Sequence, residues 1–232
     1  MSTITLISTT TELSTMLITL KDIPTAPPSL YIDLEGAKLS RNGRISLLTL
    51  YILPTNTVCL IDIHSLGATA FSTPTAAEIG QIATLTLKSI LESPIVPKVF
   101  FDVRNDSDAL YAHYAISLQG IHDLQLMELA STNRPRTYVN GLARCIQWDA
   151  NLTPTQAQRA SVVKDAGTKL FAPERGGSYD VFNERPLQAM VQEYCVRDVV
   201  HMPELWKVYE GKMNSFWRGG CGEGEGESEG GL

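Results

Sequence analysis

Residues 29–63, SLYIDLEGAKLSRNGRISLLTLYILPTNTVCLIDI, contain three apolar runs divided by two turns. The runs are 29–34 (SLYIDL), 44–52 (RISLLTLYI) and 57–63 (TVCLIDI), and Arg41-Asn42-Gly43 and Pro54-Thr55-Asn56 separate them. Each run has strand length and is rich in residues that fit a pleated surface, and the connections carry turn-forming Asn, Gly and Pro. The stretch predicts an antiparallel meander. Asp33 and Glu35 stand at i and i+2 at the end of its first strand, so their carboxylates point to one face. A D-x-E triplet arises by chance and can be a solvated strand end, but apolar Leu30, Ile32 and Leu34 mark this one as a core strand. Two carboxylates side by side there repel by about a kcal/mol or more unless a cation lies between them.

Upstream, 4–7 (ITLI) reads as a short edge strand. Thr9 and Glu12 have capping-box spacing, and Leu13, Met16, Leu17 and Leu20 repeat at helical intervals until Pro24, Pro27 and Pro28. Downstream, the pattern predicts a helix over 75–92 with Ile79, Ile82, Leu85 and Leu91 among its apolar positions. A strand over 98–103 (KVFFDV) and a helix over 106–116 come next, then a strand-to-helix step near 120–130 and a helix near 139–148. Residues 149–181 read as irregular, and one long helix runs from after Pro186 to about 210. This order predicts an α/β fold with a mixed sheet, an antiparallel meander plus parallel strands, flanked by helices.

The length of 232 residues suits one domain, placed at 1–218. Residues 219–232, GGCGEGEGESEGGL, read as an acidic, low-complexity, disordered tail. Nineteen Lys and Arg against twenty-five Asp and Glu give −6; four of those acids, Glu223, Glu225, Glu227 and Glu229, lie in the tail, which leaves the body at −2. That balance argues against a protein that holds nucleic acid by bulk charge. Cys59, Cys145, Cys195 and Cys221 form no C-x-x-C pair and have no His cluster beside them, which argues against a zinc ribbon or a disulfide framework and for a reducing compartment. No apolar run approaches membrane-spanning length and no signal peptide is readable, so the expectation is an intracellular protein, cytoplasmic or nuclear. The sequence has neither a P-loop nor a G-x-S-x-G elbow.

Three further residues extend the acidic pair. Asp106 follows the 98–103 strand near the start of the next helix, where the bland reading is an N-cap. Asp102, still within that strand, and Asp108, inside the helix, are decoys. Tyr194 and Asp198 are four apart in the last helix and project from one face, although Tyr194 could simply pack with Asp198 in solvent. Together, Asp33, Glu35, Asp106 and Asp198 come from two strand ends and two helices in an order that can converge on one sheet edge. Four carboxylates suit two hard divalent cations, Mg²⁺ or Mn²⁺, about 3.5–4 Å apart, the arrangement that serves phosphodiester hydrolysis. Tyr194 would orient the attacking water or the scissile phosphate. Arg41 and Arg44 flank the first turn and read equally as phosphate contacts or a solvated hairpin; Lys164, Lys169 and Arg175 are similarly open.

This ordered set resembles the DEDDy branch of the 3′–5′ exonuclease superfamily, and more closely the eukaryotic exonuclease 3′–5′ domain-containing proteins. The resemblance rests on Asp33-Leu34-Glu35, on Asp106 in KVFFDVRNDSDAL and on Tyr194 to Asp198 in YCVRDVVHMPELW. LEGAKLSRNGRISLLTL (34–50), HDLQLMELA (122–130), GLARCI (141–146) and GGSYDVFNERPL (176–187) extend it over roughly 4–210. It implies an RNase H-like exonuclease fold and a two-metal site in which Asp33, Glu35, Asp106 and Asp198 ligate Mg²⁺ or Mn²⁺ and Tyr194 orients water. The substrate it implies is the 3′ end of single-stranded RNA or DNA. Phe101 stands where many relatives have His, and Thr49 where ribonuclease D-like proteins often have Gln; both bear on end recognition. The competing class is an inert RNA-binding adaptor or scaffold of the same fold, as in relatives that have lost catalytic carboxylates.

Overall fold

The computed structural model describes residues 2–75, 85–131 and 137–213. One mixed sheet contains six strands: β1 (Thr3–Ile7), β2 (Leu30–Glu35), β3 (Leu47–Ile52), β4 (Thr57–Asp62), β5 (Lys98–Phe100) and β6 (Ile121–Asp123). Their order is β1-β4-β3-β2-β5-β6. The predicted meander is β2-β3-β4. Its middle strand, β3, pairs antiparallel on both sides, while β1 runs parallel to β4, and β5 to both β2 and β6. Five strands therefore run one way, and the carboxyl ends of β2 and β5 open on the same edge, where α/β sheets place their ligands.

Helices cover both faces, which is why the strands read as nearly continuous apolar runs. One face presents Leu30, Ile32, Leu34, Leu48, Leu50, Cys59 and Ile61. It is covered by α1 (Thr10–Ile18), α2 (Ile63–Leu66), α3 (Thr69–Ser72), α4 (Leu87–Leu91) and α5 (Arg104–Tyr114). The other presents Tyr31, Leu47, Tyr51, Val58, Leu60 and Val99 to α6 (Leu124–Ala130), α7 (Leu142–Asp149), α9 (Ala189–Val200) and α10 (Met202–Lys212). A further helix, α8 (Pro154–Phe171), lies outside α9. The Thr9–Glu12 capping box forms as its spacing predicts. Cys59, Cys145 and Cys195 are buried and form no disulfide. No helix among the described residues is long and apolar enough to cross a membrane.

Several elements depart from expectation. Residues 149–181 are not irregular: α8 alone occupies eighteen of them, started by a Thr153–Gln156 capping box with Pro154 at its first position. The long helix after Pro186 is two, because Pro203 has no N–H to continue the α9 ladder, and the chain turns at His201. Among the described residues of 75–92, a helix spans Leu87–Leu91, capped by Thr86; residues 76–84, with Ile79 and Ile82, lie outside the described residues, as does the 219–232 tail. β5 ends at Phe100, so Asp102 is a loop residue, with left-handed backbone at φ 60. α5 begins at Arg104, which puts Asp106 inside the first turn instead of at the cap.

Candidate active site

β2 is central: β3 pairs with it along its whole length, and β5 pairs with its first two residues, Leu30 and Tyr31. Asp33 pairs with Thr49 and Glu35 with Leu47 across the β2–β3 ladder, and both carboxylates face the α9 side of the sheet. The chain then folds back tightly: Ser46 N–H donates to the Glu35 carbonyl at 2.8 Å and Arg44 N–H to the Ala37 carbonyl at 3.0 Å. A Cβ on Gly36 would lie 1.9 Å from the Arg44 carbonyl oxygen, so only glycine fits immediately after Glu35. Arg41 is tied into the fold: its Nε and Nη2 donate to Asp108 Oδ1 at 2.8 and 2.6 Å, joining the hairpin to α5.

Asp106 reaches the same edge from α5 and is buried. Its placement depends on a carboxylate that the sequence pattern did not single out. Asp123, at the end of β6, accepts from the Asp102 and Val103 N–H groups at 3.0 and 3.1 Å and caps α6 through Gln125 N–H at 2.9 Å. One side chain thus fixes the β5–α5 loop and the start of α6.

α9 supplies the remainder. Tyr194 and Asp198 are buried on its inner face, one turn apart. Ligand oxygens of Asp33, Glu35 and Asp198 all lie within 4.8 Å of one another. Asp106 stands outside this tight trio, close enough to Asp33 for their charges to repel. The residue that sequence reasoning left open is Lys164 of α8. Its Nζ donates to Tyr194 Oη at 2.8 Å and to Asp198 Oδ2 at 2.6 Å, and sits 4.3 Å from the Tyr194 ring centre. α8 comes this close because Gly167 lacks a side chain; a Cβ there would meet the Tyr194 ring at 2.4 Å. No sequence signal marks Lys164, whose partners are thirty and thirty-four positions away on another helix.

The electrostatics are those of excess negative charge. Burial, and then the Asp198 charge, push the Asp33 carboxyl up to about 7 against the pull of Lys164. Burial and the Asp33 and Asp198 charges push Glu35 well up, and burial and Asp33 do the same to Asp106. Burial opposes the Lys164 charge, but Asp198, Glu35 and Asp33 outweigh it and raise its pKa. Burial and the same carboxylates raise Tyr194, which therefore keeps its proton. An all-oxygen donor set with uncompensated charge fits a hard divalent cation and not a soft one.

The sign of the pH dependence follows. Asp33 titrates higher folded than unfolded, so its stabilising contribution is complete below about pH 4 and is lost as pH rises through about 7. Both Asp33 and Glu35 keep some contact with water, which limits the effect to about 1–2 kcal/mol, or roughly 3–6 °C in Tm. Metal-free protein should melt lower at pH 8 than at pH 5, and millimolar Mg²⁺ or Mn²⁺ should recover the difference at pH 8. Melting curves indifferent to both pH and ions would contradict this.

The sequence model of the 3′–5′ exonuclease family matches residues 4–210. The chain belongs to the 3′–5′ exonuclease family. Solved structures place this exonuclease-family chain in the RNase D-like fold. Trypanosoma brucei RNase D in complex with RNA U12 superposes with a TM-score of 0.68 at 23% identity, over 92% of this chain and 64% of that one. The catalytic core of RRP6 from Trypanosoma brucei gives 0.57 at 14%, over 91% and 51%. Escherichia coli RNase D, an exoribonuclease involved in structured RNA processing, gives 0.53 at 18%, over 89% and 45%. This chain thus spans less than two thirds of each. No curated protein sequence matches it. Of the two departures noted in the sequence, Thr49 is buried across from Asp33 and beside Cys195, and Phe101 follows β5 directly.

Proposed function

We propose that this protein is a divalent-metal-dependent 3′–5′ exonuclease that hydrolyses terminal phosphodiester bonds of single-stranded RNA or DNA and releases nucleoside monophosphates. The observation that carries this reading is the convergence of Asp33, Glu35 and Asp198 oxygens within 4.8 Å beside the Tyr194 hydroxyl. Asp33, Glu35, Asp198 and Asp106 would hold Mg²⁺ or Mn²⁺. Bound there, two such ions would supply an activated water and neutralise the charge on the leaving oxygen.

The chain's own groups do the positioning. Lys164 donates into a lone pair of the Tyr194 oxygen, so Tyr194 directs its own proton elsewhere, toward the attacking water or a phosphate oxygen. Water adds to phosphorus and the bond from phosphorus to the neighbouring 3′ oxygen breaks. Lys164 is a positioning residue in this scheme. A charge-assisted hydrogen bond of this kind is worth about 1.5–3 kcal/mol, so Lys164→Met should slow turnover about 10- to 100-fold, with Lys164→Arg recovering part. Single-turnover rates read the difference; wild-type rates in Lys164→Met would remove the residue from the scheme.

RNA is the first substrate to test, because the RNase D neighbour is in complex with RNA. A time course on 5′-labelled single-stranded RNA, single-stranded DNA and duplexes should give a one-nucleotide ladder from the 3′ end that a chelator stops. Products of internal cleavage, or a ladder that persists in chelator, would refute the reading.

A further inference from the structure

Between α7, α8 and α9 lies a cleft of about 690 Å³, within the size range of ligand sites. Lys164, Tyr194 and Asp198 line it, so it is continuous with the carboxylate site. Its charges do not cancel locally. Of the four Lys and Arg that line it, Lys164 is paired with Asp198 and Arg175 with Asp165 at 2.6 Å, which uses both of the Asp residues that line it. Arg144 and Arg197 are left over. Glu193, one turn before Arg197 and its natural helix partner, is taken by Arg159 at 3.2 Å. Among the described residues, no ion pair holds either leftover guanidinium. Beside Arg144, and just outside the lining of the cleft, the Trp148 indole is 63% exposed, with the Arg144 guanidinium over one face of its ring at 5.1 Å. Guanidiniums at a groove and an exposed indole beside it are what a flexible polyphosphate strand with bases requires.

We propose that this cleft carries the single strand upstream of its terminal nucleotide, with Arg197 and Arg144 binding backbone phosphates and Trp148 stacking on a base. The inference deepens the exonuclease reading and rests on it for the direction of the strand. It also explains how a body of nearly neutral charge can hold a polyanion: the cationic groups that matter are two, and local.

The test uses Arg197→Gln, Arg144→Gln and Trp148→Ala, with Lys207→Gln, exposed on α10, as the control. Two readings are taken: the affinity for a 5′-labelled eight-nucleotide RNA by anisotropy with chelator present, and the ratio of kcat/KM for that RNA over a dinucleotide. Trp148→Ala should weaken binding about 5- to 100-fold with the salt slope unchanged. Each Arg variant should weaken binding and reduce the slope of log affinity against log salt by about 0.7, the loss of one phosphate contact. All three should lower the length ratio at least about fivefold, and Lys207→Gln should change neither. Arg144 and Trp148 are exposed, so these two variants report without a folding defect. Wild-type affinity and length ratio in both would overturn the cleft assignment while leaving the exonuclease reading standing. A protein that never cleaves, yet whose binding falls in these variants, would overturn the exonuclease reading while leaving the cleft.

Discussion

Asp33→Asn and Asp198→Ala should each stop removal of 3′ nucleotides, with turnover down about 10³-fold or more, a loss of at least about 4 kcal/mol from transition-state stabilisation. The two variants should part company in stability, which separates a chemical defect from a folding one. Asn at 33 keeps the shape but removes a charge that burial and Asp198 disfavour, so Asp33→Asn should be at least as stable as wild type above pH 7 while no longer gaining stability from Mg²⁺ or Mn²⁺. Ala at 198 leaves the Lys164 ammonium half-buried without its 2.6 Å partner, so Asp198→Ala should melt lower. An end-labelled RNA assay and a thermal melt read both. Cleavage that survives in both variants of clean protein would dispose of the proposed site.

The largest effect on stability is expected at the carboxyl end of β4. Asp62 is 1% exposed, accepts from Arg185 Nε at 2.6 Å and Nη2 at 2.5 Å, and takes the Ser65 N–H and hydroxyl at 3.0 and 2.8 Å. Burial alone would raise its carboxyl, but Arg185 and Ser65 outweigh burial and hold it below the usual carboxylate range. Asp62→Ala strands a half-buried guanidinium and uncaps α2. Breaking such a pair costs about 3–5 kcal/mol, or roughly 10 °C in Tm. In wild type this stabilisation is present above about pH 4 and is lost as pH falls further. Arg185 stands just before α9, so the same variant should also slow turnover by loosening the helix that carries Tyr194 and Asp198. A Tm within about 2 °C of wild type would show that the pair contributes little.

The meander was legible because three apolar runs of strand length with Asn, Gly and Pro between them allow few alternatives, and side-chain alternation alone puts Asp33 and Glu35 on one face. α8 was not legible. Only Val163 and Gly167 of its eighteen residues are buried, so it lacks the apolar stripe by which a helix is recognised, and its one local signal was the Thr153–Gln156 cap. Lys164 was hidden for the same reason: its meaning depends on a helix–helix approach permitted by a missing Cβ at Gly167. Asp123 was hidden because a carboxylate that binds backbone N–H groups twenty residues away leaves no spacing to read. Residue types and order showed which side chains carry charge to the site; which neighbours hold them there came only from packing.

Asp33 and Glu35 ride on β2, Asp106 on a helix of one layer and Asp198 on a helix of the other. No pair of consecutive elements contains the trio, and its last member joins at position 198. On the exonuclease reading, a chain still emerging from the ribosome has no hydrolytic power until nearly all of its fold has docked. A nuclease assembled in this order is harmless to its own messenger while being made, and a misfolded or clipped copy that loses α9 is disarmed by the same accident that damages it.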